Sequence, residues 1–197
     1  MDDGKFLIKK HELELKYDAS NVKLSKFNEF ARSLNPVKEI EVYSWDSYYA
    51  NPAKNDLNFE FLRYRQGPTP ELTIKEKTDD KNNNQRIEID LPLDPNRCSE
   101  EDVAMFCERF NFKLNCKIFK WCSIFFYEKT DMVFYIVYDE EMKEKGRYVE
   151  IERRKDVPCN SAEEALAEVK ELEKKLEVLG ISPQMRMKKS QWELNRK

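Results

Sequence analysis

The chain has 197 residues, 40% of them hydrophobic, enough for one large domain or two small ones with a core. With 35 Lys and Arg against 38 Asp and Glu, its formal net charge of -3 excludes the overall basic excess of a general nucleic-acid or membrane-surface binder. Only 4 Gly and 8 Pro, with no low-complexity tract or internal repeat, exclude solenoids, collagen-like chains and long disordered linkers.

Charged residues make up 37% of the chain, well above the roughly 25% of an average globular domain, so either the surface is unusually charged or some charges point inward. No apolar run approaches the roughly 20 residues of a membrane span. The stretch MDDGKFLIKKHELELK has no signal-peptide core, so a cytoplasmic protein with no membrane partner is expected. The cysteines (Cys98, Cys107, Cys116, Cys122, Cys159) are odd in number and form no C-x-x-C pair, which points to reduced thiols rather than a disulfide framework or zinc knuckle. His11 is the single histidine, and no nucleophile-elbow, Walker or dinucleotide-binding motif occurs. Any catalysis must therefore use carboxylates, lysines, arginines and a metal.

In chain order, residues 6–17 alternate as a strand. Ser20 opens an amphipathic helix carrying Val22, Leu24, Phe27, Phe30, Ala31 and Leu34, closed before Pro36. Strands are predicted at 39–49, 59–66, 71–78 and 85–92, separated by turn-rich NPAKND, GPTP and DDKNNN. Ser99 with Glu100, Glu101 and Asp102 caps a helix to about Phe110. Three more strands follow at 115–128, 132–140 and 147–155. Asn160 or Ser161 caps a long helix that Gly180 terminates, with Ala165, Leu166, Val169, Leu172 and Leu176 facing the rest of the fold. A short helix is expected around Ser190 to Leu194. The absence of a parallel-crossover rhythm predicts an α+β fold: one domain over 1–197, an eight-stranded, mostly antiparallel closed β-barrel with helices packed outside.

Side chains two apart on a strand share a face. Glu12, Glu14 and Lys16 lie opposite Leu13, Leu15 and Tyr17. Arg63 and Arg65 lie opposite Leu62 and Tyr64, and Lys75 and Lys77 opposite Leu72 and Ile74. Glu88 and Asp90 lie opposite Ile87 and Ile89, and Glu150 and Glu152 opposite Val149 and Ile151. Alternation alone is also met by an ordinary sheet with its charged face in water. Same-sign pairs on each strand argue otherwise, because like charges at i and i+2 repel without the benefit a surface pair gains by alternating sign. If helices cover the apolar faces, the charged faces line an all-charged tunnel. Its carboxylates could hold divalent cations, and its Lys and Arg could clamp phosphate oxygens. On this expectation the basic pairs serve function at some expense of stability in the unliganded protein.

The E-x-E-x-K of Glu12, Glu14 and Lys16 resembles the signature of the CYTH family, the triphosphate tunnel metalloenzymes, which include class IV adenylyl cyclases, thiamine triphosphatases and inorganic triphosphatases. The resemblance continues through DSYY at Asp46 to Tyr49, Arg63-x-Arg65, Lys75-x-Lys77, Arg86-x-Glu88-x-Asp90, Lys120, Asp139 and Gly146-x-x-x-Glu150-x-Glu152, over roughly residues 6–195. It implies that Glu12, Glu14, Asp139, Glu150 and Glu152 carry Mg²⁺ or Mn²⁺, with Glu88 and Asp90 near the metal or orienting the basic side chains. It also implies that Lys16, Arg63, Arg65, Lys75, Lys77, Arg86 and Lys120 grip a triphosphate. Catalysis would rest mainly on positioning and charge neutralisation, helped by a lysine (Lys16, Lys75 or Lys77) acting as base on a metal-bound water.

The chain departs from the family pattern at several positions. Cys122 stands where the family usually has arginine, Asp90 where a second glutamate is common, and Ala50 where an acid often follows the tyrosines. The His-Phe pair of the cyclase branch is missing, although Phe6 is present. A metal-dependent triphosphatase is the leading expectation, with a cAMP-forming cyclase and a non-catalytic polyphosphate or nucleotide binder as alternatives. The partner is a triphosphate-containing small molecule rather than a specific nucleic-acid sequence. Its organic group would sit among loops such as 50–58 and 78–84, and monomer and homodimer both stay open. His11, on the face opposite Glu12 and Glu14, reads as a packing or surface residue, Trp45, Tyr48 and Tyr49 as core aromatics, and Cys122 as a buried, inert thiol.

Overall fold

The computed structural model describes residues 10–51, 59, 61–76 and 85–196, leaving aside the side chains of 10–12, 85, 86 and 162. Strands β1 (Lys10–Asp18), β2 (Lys38–Ala50), β3 (Phe61–Gln66), β4 (Glu71–Glu76), β5 (Gln85–Pro92), β6 (Lys113–Phe126), β7 (Thr130–Tyr138), β8 (Glu144–Arg153) and β9 (Arg186–Met187) join helices α1 (Leu24–Ser33), α2 (Glu100–Arg109), α3 (Ala162–Lys175) and α4 (Gln191–Asn195). The strands make one antiparallel sheet in the order β5-β4-β3-β2-β6-β7-β8-β1-β9.

The sheet curls into a half-barrel. Among the described residues its ends meet only where Lys10, His11, Glu12 and Leu13 of β1 pair with Glu88, Ile87, Arg86 and Gln85 of β5. From Glu14 onward β1 pairs with β8. Lys16 and Tyr17 also pair with Met187 and Arg186 of β9, on the edge away from β8. This corrects the closed eight-stranded barrel expected from sequence. A ninth strand occupies the edge that full closure would have needed.

The apolar strand faces are covered from outside. Leu13, Leu15 and Tyr17 of β1, Phe134 of β7 and Val149 and Ile151 of β8 pack with Phe27 and Ala31 of α1 and with Val169 and Leu172 of α3. Tyr49, Leu62 and Tyr64 pack with Val103 and Cys107 of α2. Each fully buried large apolar side chain contributes about 1.5–3 kcal/mol, so the helix-covered outside supplies a hydrophobic core and leaves the concave face free to be polar.

Helix boundaries follow local chemistry. In α2 the Ser99 hydroxyl accepts from Asp102 N and the Asp102 carboxylate accepts from Ser99 N, a capping box. Ser161 caps α3, and after a 3-10 turn (Leu176–Leu179) Gly180 takes the left-handed conformation at φ 76 that stops the chain. The start of α1 is corrected from Ser20 to Leu24. Asp18 accepts from Ser20 N at 2.8 Å, holding that segment in a turn and bringing Val22 into the core before the helix begins.

Candidate functional site

The concave face of the half-barrel holds a cavity of about 210 Å³. Strand parity delivers its walls: Glu14 and Lys16 from β1, Arg63 and Arg65 from β3, Lys75 from β4, Glu88 and Asp90 from β5, Lys120 from β6, and Glu150 and Glu152 from β8. Glu71 and Lys155 complete the charged lining, so that among the described residues six cationic and six acidic side chains face one space.

These charges interlock. Asp46, fully buried on β2, is gripped by Arg65 and lies 3.1 Å from Lys120 Nζ. Burial alone would raise its pKa, but Arg65 and Lys120 outweigh that and hold its carboxyl far below the usual range. Arg63, also buried, donates to Glu71 at 3.0 Å and Thr73 at 2.9 Å and lies 3.6 Å from Glu88. Its Nε, enclosed in the protein, has no hydrogen-bond partner among the described residues. Glu88 is approached by Lys75 at 3.3 Å and by Lys155. Burial works to raise the Glu88 pKa, and Lys75, Arg63 and Lys155 together drive it well down. Same-sign residues on one strand are thus neutralised from neighbouring strands.

Lys16 Nζ sits between Glu14 at 3.3 Å and Glu150 at 3.1 Å. Burial opposes its charge, but Glu14 and Glu150 prevail and raise its pKa, so Lys16 stays an ammonium. Lys120 behaves oppositely. Burial lowers its pKa, and the nearby Arg65 and Arg63 reinforce that against Asp46 and Glu150. Of Lys16 and Lys120, the one nearer a base's requirements is Lys120, which was not among Lys16, Lys75 and Lys77, the lysines the sequence reading named for that role.

The all-charged tunnel is a second expectation that changes. Part of the concave face is apolar: Tyr48, Phe61, Ile118, Tyr135, Val137 and Tyr148 form a cluster into which α4 inserts Trp192. Trp192 packs on Phe61 with ring centroids 5.3 Å apart. Gln191 donates to the Tyr135 hydroxyl at 3.0 Å, and that hydroxyl donates to Glu150 at 2.6 Å. The short C-terminal helix expected from Ser190 therefore does more than end the chain, because it ties the aromatic cluster to an acidic wall of the cavity.

Asp139 is not brought to the cavity. It follows the end of β7 and makes the turn to β8, its carboxylate accepting from the backbone of Glu141 at 3.1 Å and of Lys143 at 2.9 Å. Aspartate is favoured in this role because its short carboxylate satisfies turn amides. Lys77 and the side chains of Glu12 and Arg86 lie outside the described residues, as do most of loops 50–58 and 78–84. The sequence reading missed Glu71, Lys155, Ser190 and Gln191 as lining residues. It also left Asp46 without a role. The signal for Asp46 was a lone acid sharing a strand face with Tyr48 in an aromatic segment.

The chemistry of the wall formed by Glu14, Glu150 and Glu152, carboxylate oxygens only, suits a hard divalent cation such as Mg²⁺ or Mn²⁺. Among the described residues no group of three His, Cys, Asp or Glu is already gathered as a metal site, and Lys16 fills the space between Glu14 and Glu150. A cation there would have to move the Lys16 ammonium.

Comparison with solved structures places this architecture. A conserved hypothetical protein from Pyrococcus furiosus superposes with a TM-score of 0.69 at 24% identity, covering 93% of this chain and 99% of that one. It shares this fold. Proteins described as "putative adenylate cyclase" from Vibrio parahaemolyticus (TM-score 0.66, 13% identity, 95% of this chain and 98% of that one) and Bacillus halodurans (TM-score 0.60, 15% identity, 94% and 97%) share it too. No protein-family model matches the sequence, and no curated protein matches it. No helix among the described residues is long and apolar enough to cross a membrane.

Proposed function

We propose that this chain is a member of the CYTH family and that its cavity binds the triphosphate group of a small molecule or of inorganic tripolyphosphate, which it hydrolyses with Mg²⁺ or Mn²⁺. The observation that carries this reading is the convergence of Lys16, Arg63, Arg65, Lys75, Lys120 and Lys155 on one concave cavity.

Charge accounting supports a metal complex over a bare polyanion. Among the described residues, the six cationic and six acidic side chains of the lining cancel. A triphosphate brings roughly four further negative charges, which divalent cations entering with it would offset. Glu14, Glu150 and Glu152, with Glu12 beyond the described side chains, would hold such an ion. When bound, it would supply Lewis-acid neutralisation of phosphate oxygens and lower the pKa of a bound water. The chain's own residues do the positioning. Arg63 and Arg65 present planar guanidinium groups to phosphoryl oxygens, Lys75 and Lys120 add point charges, and Tyr135 and Gln191 hold Glu150 in place. Lys120, whose pKa is lowered, is the lysine suited to accept a proton.

The adenylate cyclase description of the two neighbours favours a second reading, formation of cAMP from ATP in the same cavity. Incubation with tripolyphosphate, thiamine triphosphate and ATP, each with Mg²⁺ or Mn²⁺, and chromatography of the products decides between them. Orthophosphate supports hydrolysis and cAMP supports cyclisation. Ligand-induced stabilisation without turnover would leave a binder, and no stabilisation by any of the three would overturn the reading.

A further inference from the structure

Helix α2 makes its core contacts on one side, through Val103 and Cys107, and sets large apolar side chains on another. Met105, Phe106 and Phe110 are 58, 52 and 59% exposed, and Leu114, at the start of β6, is 52% exposed. Phe106 and Phe110 touch, their ring centroids 5.1 Å apart, so these residues form a patch rather than a scatter of single apolar side chains. The turn after the helix keeps the patch outside. Asn111 takes the left-handed conformation at φ 61 and Phe112 N donates to Cys107 O at 3.0 Å, which buries Phe112 and leaves Phe110 and Leu114 on the surface.

We infer that this patch is the surface by which two copies of the chain pair, α2 against α2, antiparallel about a twofold axis. The charges beside the patch specify a second copy in that orientation. The helix has acids in its first turn and Arg109 in its last. At 3.6 residues per turn, Asp102 and Arg109 flank Met105 and Phe106 on the patch side, while Glu101 and Glu108 fall on the flank away from Phe106. With the twofold axis between Met105 and Phe106, Asp102 of one protomer faces Arg109 of its partner, and Met105 faces Phe106. A parallel pair would set acid against acid. The capping bonds of Asp102 with Ser99 are made through Oδ2, so an arginine can bond Oδ1 without opening the cap. The area fits a reversible dimer. A fully covered aromatic side chain buries roughly 150–250 Å², so the half-exposed patch supplies on the order of 400 Å² per protomer, about half of a standard interface, which places the pairing at the weak, micromolar end. Leu62 and Tyr64 of β3 support α2 on the outer face, whereas Arg63 and Arg65 line the cavity on the other, so pairing leaves the cavity open.

The test is sedimentation velocity of the full chain from about 1 to about 300 µM, over which the parent is expected to pass reversibly from monomer to dimer. Phe106→Ala should raise the dissociation constant about tenfold or more. Arg109→Glu, which sets a carboxylate against Asp102 of the partner, should raise it too, whereas Arg109→Lys, which keeps the charge, should stay within about threefold of the parent. If Phe106→Ala does not fold by circular dichroism, Phe110→Ser carries the same expectation. A parent that stays monomeric at every concentration would overturn the inference, as would a dimer that neither Phe106→Ala nor Arg109→Glu weakens. Weakening by Phe106→Ala alone, or growth beyond the dimer, would overturn the antiparallel twofold arrangement.

Discussion

Arg65 of β3 clasps the carboxylate of Asp46, its partner across the ladder on β2, with Nε donating to Oδ1 at 2.8 Å and Nη2 to Oδ2 at 2.9 Å. The bidentate pair gives Arg65 a structural role, against the expectation that the basic pairs weaken the unliganded fold. Removing one partner of a buried pair leaves the other charge uncompensated, at roughly 3–5 kcal/mol. Arg65→Met should lower the urea midpoint accordingly, with Lys120 moderating the loss. Because the folded pKa of Asp46 lies below its unfolded value, the stability from this pair is present above about pH 4 and is lost as the pH falls below it. A variant that denatures at the parent's midpoint at pH 7 would show that the pair is not structural.

Asp131 has the opposite sign. Burial raises its pKa to about 6, with Asp156 adding to the effect against Arg154. Its Oδ1 has no hydrogen-bond partner among the described residues. A carboxyl whose folded pKa exceeds its unfolded one binds its proton more tightly in the fold, so its contribution to stability decreases as the pH rises from about 4 to about 6. Asp131→Asn should therefore be more stable than the parent at pH 8 and match it at pH 4, measured by urea denaturation at both. Equal differences at the two values would rule out titration of Asp131 as the cause.

The cysteines should separate by accessibility. Burial pushes the Cys107 and Cys122 thiols up to about 11, which keeps them in the unreactive protonated form near neutrality, whereas Cys159 is exposed. Iodoacetamide at pH 8 should label Cys159 within minutes while Cys107 and Cys122 wait for unfolding. Peptide mass spectrometry locates the adducts, and early labelling of Cys122 would show that the concave face opens readily.

Trp192 anchors α4 among Phe61, Tyr135 and Tyr148. Trp192→Ala should cost about 3 kcal/mol or more, and Gln191→Ala about 1 kcal/mol through the bond to Tyr135. Chemical denaturation of both variants checks the order. A silent Trp192→Ala would mean that the helix is dispensable to the sheet.

Much of the concave site was legible because a strand enforces a period of two, so parity alone placed Glu14, Lys16, Arg63, Arg65, Lys75, Glu88, Asp90, Lys120, Glu150 and Glu152 on common faces. Parity says nothing once a strand ends. Extended past Arg153 it would send Arg154 inward and Lys155 out, but β8 stops at Arg153 and the turn that follows reverses them. Asp139 lies away from the cavity for the same reason at the other end of the β7–β8 hairpin, where a turn claims its carboxylate.

What the amino-acid order determined by itself was periodic: the strands, the capped helices, and a charged face opposite each apolar one. Whether those charges repel or pair was decided only in three dimensions. Asp46 meets Arg65 from the next strand, Glu88 meets Lys155 from the segment after β8, and Trp192 reaches Phe61 from the far end of the chain. Charge cancellation and packing depend on distances between residues remote in sequence. Local pattern fixes which way a side chain points along its own strand and carries no information about which side chain will face it.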